Sequence, residues 1–70
     1  MSANTLLDAV SHHMDCKNDR MLSALLDVAP PVISKLRHGR LNVGATLTLR
    51  IHELNPALFT IAGIRELVQA

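Results

Sequence analysis

The sequence predicts an all-α domain, a compact bundle of about five short helices, and three observations carry that reading. Hydrophobic residues make up 49% of the 70-residue chain, yet Phe59 is its one aromatic residue, so the core must come from Leu, Ile, Val, Ala and Met. Those apolar residues recur at three- and four-residue spacing, the period of a helix with one buried face. Asn18, the pair Pro30–Pro31, Gly39 and Pro56 punctuate the pattern as helix starts and stops. No segment reads convincingly as a strand. A chain this short forms one domain, residues 1–70, with modest stability.

The elements follow in order. Thr5 with Asp8 three residues on gives a box-like start to the first helix, and Leu6, Leu7, Val10 and Met14 supply its apolar face. "CKND" breaks the pattern. Asn18 is a good N-cap, and Asp19 places negative charge in the first turn of a second helix, where it suits the helix dipole. Met21, Leu22, Leu25 and Leu26 continue that helix to near Asp27. After a tight connection, "PPVISKLRHGR" opens on two prolines. Proline is tolerated at the first positions of a helix, where an N–H would have no partner, so a third helix runs from about Pro30 to Arg37. Gly39 ends it in a left-handed C-cap. "LNV" is a loop, and Gly44 to Leu54 reads as a fourth helix with Leu47, Ile51 and Leu54 facing inward. Pro56 disfavours a helical Asn55 and stops it. A last helix starts near Thr60 and carries Ile61, Ile64, Leu67 and Val68.

Charge and cysteine content bound the function. Net charge is +1, but its distribution is uneven. Residues 1–27 carry four acids against Lys17 and Arg20. Residues 28–52 carry Lys35, Arg37, Arg40 and Arg50, with His38 and His52, and no acid. A positive middle in a nearly neutral chain points to an anionic partner. Cys16 is the single cysteine, so no internal disulfide forms, which fits a reducing compartment. No apolar run is long enough for a membrane span. The start of the sequence lacks the pattern of a signal peptide, so the expected location is the cytoplasm.

Residues 19–38, "DRMLSALLDVAPPVISKLRH", are the informative unit. Two short helices joined by so tight a turn cross steeply. Leu22, Leu26, Val28, Ile33 and Leu36 fall inside the angle, and Ser23 is small enough for the place where the backbones approach. This spacing resembles the helix-turn-helix of the Cro and CI type phage repressors, the XRE family, over roughly residues 5–54. One helix before the unit and two after "HGR" complete the layout. The resemblance implies a lambda-repressor-like DNA-binding fold, with the Pro30–Arg37 helix lying in the major groove as recognition helix. Asp27 stands where many members have glycine, and aspartate tolerates the left-handed region better than most residues.

Pro30 and Pro31 stand where family members often carry amides that read base edges. Lacking donors, they cannot form the bidentate bonds that identify adenine. Pro31 or Val32 can touch a thymine methyl, and base reading shifts to Ser34, Lys35 and His38, with Lys35 on a guanine edge as the leading contact. Asn18, Arg20, Arg37, Arg40, Asn42 and Thr46 are the expected phosphate contacts, which position without reading sequence. The implied function is that of a small transcriptional regulator, repressor or Cro-like, binding double-stranded DNA as a homodimer on an inverted repeat. Residues 54–70 hold more apolar side chains than one helix needs, so part of them forms the candidate dimer face, while Ile61, Ile64 and Leu67 go to the core. No cofactor and no small-molecule effector are expected.

Blander and rival readings stand beside this one. Lys35, Arg37 and Arg40 also fit an ordinary solvated face. In "HHMDC", His12 and Cys16 would be one turn apart on a helix, but a structural zinc site needs four ligands at recognisable spacing, so no metal is expected. No nucleophile pairing of Cys16 and no paired catalytic carboxylates from Glu53 and Glu66 are legible, so the chain is read as no enzyme. The rival class is a protein-interaction module, or an antitoxin, that uses the same fold to hold a partner protein.

Overall fold

A computed structural model describes residues 3–69. Among them the chain forms five helices and no strand: α1 (Asn4–His13), α2 (Asp19–Leu25), α3 (Pro30–Arg37), α4 (Ala45–Leu54) and α5 (Ile61–Gln69). Each apolar stripe supplies one shared core. Leu6, Leu7 and Val10 come from α1, Leu22 from α2, Ile33 and Leu36 from α3, Leu47 and Ile51 from α4, and Ile64 from α5. Leu26 and Phe59 enter from the loops. Full burial of one such side chain contributes about 2 kcal/mol. α2 packs on α3, α1 packs on α3 and α5, and α4 packs on α5, so α1 is the hub that joins the two helix pairs. No described helix is long and apolar enough to cross a membrane.

The caps explain where the helices begin and end. The expected start at Thr5 is corrected: α1 begins at Asn4, and no side chain caps it. Asp8 does not close a capping box, because its carboxylate reaches Arg37 instead. α1 also ends earlier than the "HHMDC" reading needs. Asp15 turns into the left-handed region at φ 56°, and the Cys16 N–H donates to the Ser11 carbonyl at 2.9 Å. His12 and Cys16 therefore do not share a helix. Asn18 caps α2 as expected, its Oδ1 accepting from the Met21 N–H at 2.9 Å. Met21 itself is 44% exposed and stands off the core.

Asp27, at φ 55°, supplies the left-handed residue of the α2–α3 turn. Pro30 and Pro31 occupy the first positions of α3, and Gly39, at φ 70°, closes it. Gly44 precedes α4, and an extended Asn55 ends it. Asn55 then organises the next loop: its carbonyl accepts from the Phe59 N–H at 2.8 Å, which folds Phe59 inward. Thr60 stands just before α5, with Oγ1 accepting from the Gly63 N–H at 3.0 Å. Of the C-terminal apolar residues, Ile64 is buried, while Ile61, Leu67 and Val68 are half-buried and Leu58 is exposed.

Candidate nucleic-acid interface

The sidedness of α3 follows from its sequence. Ile33 and Leu36 are fully buried against the rest of the domain. Positions 31, 34, 35 and 38 lie three, four and seven residues apart, so they fall on the opposite side. Pro31, Ser34, Lys35 and His38 are all exposed and form one outward stripe. Val32, expected beside them, is half-buried and packs against the core, so its methyl groups point away from that stripe. The prolines also strip the helix start of donors. Only Val32 and Ile33 keep first-turn N–H groups, and that of Val32 already donates to Ala29 at 2.9 Å. This helix end therefore offers little to an anion.

One hydrogen bond and one exposed cation set the chemistry of the stripe. His38 Nδ1 lies 2.8 Å from the Ser34 carbonyl, which can only accept, so Nδ1 carries the proton in the neutral ring. Nε2 is then left as an acceptor. Lys35 is exposed next to it and keeps three donors.

Arg37 departs from the expected phosphate role. Its Nε and Nη2 grip both oxygens of Asp19 at 2.9 and 2.8 Å, and its Nη1 donates to Asp8 at 2.9 Å and Asn4 at 3.0 Å. Four of the five guanidinium N–H donors are thereby used within the domain. The Asn4 amide returns a bond to the Arg37 carbonyl at 3.2 Å. The hydrogen bonds to Asp19 raise the Arg37 pKa above its already high ordinary value, against the opposing effect of burial, with Asp8 adding to the rise. The side chain is 23% exposed and joins α1, α2 and α3 as a clasp. Arg37 thus has a structural role in the free domain and keeps a single donor for the phosphate contact expected of it.

The other expected phosphate contacts are placed differently. Arg20 on α2, Arg40 and Asn42 in the α3–α4 loop, and Thr46 in the first turn of α4 are all exposed. The ion pairs among the described residues involve Arg37 and Arg50; of the other cations, all exposed, Arg20, Lys35 and Arg40 belong to the helix-turn-helix pair and the loop after it, while Lys17 and Arg65 lie outside them. Asn18 spends its side-chain oxygen on the cap, and Asp19 beside it is negative, so the start of α2 is less welcoming to phosphate than its cap suggested. Arg50, read from the sequence only as part of the basic middle, reaches the α2–α3 turn and bonds two of its carbonyls.

An apolar feature lies elsewhere. A groove of about 430 Å³ runs between α4 and α5, lined by Val43, Leu49, Ile61, Arg65 and Val68 among others. Leu49 is 52% exposed there. No group of three or more His, Cys, Asp or Glu is placed to hold a metal ion among the described residues. No family model, curated protein or solved structure matches the chain.

Proposed function

We propose that this chain is a small transcriptional regulator of the Cro/CI helix-turn-helix kind, which binds double-stranded DNA with α3 in the major groove. The observation that carries the reading is the two-sided character of α3. Its inner residues, Ile33 and Leu36, are locked against the bundle, while Pro31, Ser34, Lys35 and His38 stand out together. Around them lie Arg20, Arg40, Asn42 and Thr46, the remaining candidates for the phosphate backbone. Lys35 reads a guanine O6/N7 edge. His38, with its acceptor Nε2, takes an amino group of adenine or cytosine. The prolines pre-set the helix and present a small apolar surface to a thymine methyl.

One recognition helix spans too few base pairs for high specificity, so the working unit is a homodimer on an inverted repeat. The α4–α5 groove, with Leu49 at its edge, is the apolar surface that a second copy would cover. That same groove favours the second reading, a partner-protein module, since an apolar cleft is a common seat for a helix. Salt separates the two. A DNA binder releases counterions, so its affinity for duplex DNA must fall with added salt, the logarithmic slope scaling with the phosphates neutralised. A flat response, or no retention on duplex at low salt, returns the partner-protein reading.

A further inference from the structure

Arg50 differs from the other cations of the chain. From α4 it crosses to the turn between α2 and α3, where Nη1 donates to the carbonyls of Leu26 at 3.1 Å and Asp27 at 2.8 Å. These are carbonyls from the end of α2, which lack the next turn of helix to bond them. The Asp27 carboxylate lies 3.9 Å from Nη2 and is 91% exposed, so its attraction is weak and the two carbonyls are the directional partners.

The surroundings give that bridge its importance. α4 packs chiefly on α5. Between α4 and the helix-turn-helix pair lies an open cleft of about 240 Å³, lined by Val28, Val32, Leu41, Thr46, Leu47 and Arg50. The cleft opens beside the core contact, in which Leu47 and Ile51 of α4 are buried with Ile33 and Leu36 of α3. Thr46 and Arg50 are one turn apart on α4 and face this cleft together. The bridge at its edge thus adds a directional tie where the core holds α4 only by non-directional packing.

We infer that Arg50 is a positioning residue that latches α4 to the α2–α3 turn and so sets the start of α4 against α3. The inference rests on the DNA-binding reading above, in which α3 reads bases while Arg40, Asn42 and Thr46 hold the backbone. Both sets engage one duplex at once only if their spacing is held to within a fraction of an ångström. Arg50 acts through the two carbonyls and does not itself need to touch DNA.

The test compares Arg50→Gln and Arg50→Lys with the unaltered chain in three measurements at a temperature where all are folded. Residual dipolar couplings of the backbone amides report the orientation of α4 relative to α2 and α3. Binding to a selected duplex and to a random one gives a specificity ratio, and a salt titration gives the slope. In Arg50→Gln, the α4 couplings should cease to fit one orientation with α2–α3, and the specificity ratio should fall about tenfold, the loss of one charge-assisted bond. Arg50→Lys, lacking the planar fork, should recover part of both. Unchanged α4 couplings, or a ratio unchanged within about twofold, overturn the latch, since a residue that only adds stability leaves specificity alone in folded protein. A slope reduced by about one in Arg50→Gln and fully restored by lysine also overturns it, and makes Arg50 a phosphate contact. If the unaltered chain shows no selective duplex binding, the DNA reading fails, and the couplings still decide the latch.

Discussion

The α2–α3 and α4–α5 pairs are both two short helices joined by a turn, yet different forces hold them. Directional bonds surround the first pair. Asn18 caps its start, the buried Ser23 hydroxyl donates to the Arg20 carbonyl at 2.8 Å, Arg37 clasps its far end and Arg50 ties its turn. The second pair rests on Leu47, Ile51, Phe59 and Ile64, with an open apolar groove beside them. A bond from His52 Nδ1 to the Phe59 carbonyl, at 2.7 Å, is its main polar tie. Hydrophobic contact is non-directional and fixes proximity, whereas hydrogen bonds to charged groups fix orientation. The first arrangement suits a surface that must present side chains at set angles, and the second suits a face that can be covered.

The largest effects come from the core and sharpen the contrast between the pairs. Leu22→Ala and Ile33→Ala each remove a fully buried side chain from the first pair, and each should cost about 3 kcal/mol in urea unfolding, much of the stability of so small a domain. Ile61→Ala, at the half-buried edge of the second pair, should cost about 1 kcal/mol. Equal losses would show that the two ends are packed alike.

Two arginines three residues apart give the next test. Arg37→Ala opens the three-helix clasp and should lower stability by about 1–2 kcal/mol, with little change in the salt slope of duplex binding. Arg40→Ala should do the reverse, leaving stability within about 0.5 kcal/mol and reducing the slope by about one. The smallest effect is at the turn. Asp27→Gly keeps the carbonyl that Arg50 uses and relieves the left-handed backbone, so thermal unfolding should show a gain of about 0.5 kcal/mol. A loss of that size would mean that the exposed Asp27 carboxylate contributes more than its distance from Arg50 suggests.

The helices were legible in the sequence because their signals are local. Asn18, Pro30–Pro31, Gly39 and Pro56 act within one or two turns, and the apolar spacing of Leu22, Leu26, Ile33 and Leu36 needs no knowledge of distant partners. The start of α1 was misread for the same reason: Thr5 and Asp8 have the right spacing for a box, but Asp8 finds a stronger partner 29 residues away in Arg37. Charge was the least legible property. The acids of residues 1–27 and the bases of residues 28–52 are separate along the chain, but α1, α2 and α3 bring them together, which removes Arg37 from the free basic surface. Arg50 was hidden because its partners are main-chain carbonyls, which carry no residue signature. The outward stripe of α3 was largely readable, since it is the complement of the buried face.

The most direct test of sequence-specific DNA binding through α3 is selection of bound duplexes from a random pool, run in parallel with Lys35→Ala. The expected result is an inverted-repeat site for the unaltered chain, with preference blurred at one position of each half-site in the variant, a loss of about 1–3 kcal/mol of discrimination there. Recovery of no common site, or of the same site with undiminished preference in Lys35→Ala, would contradict the assignment of α3 as the reading helix.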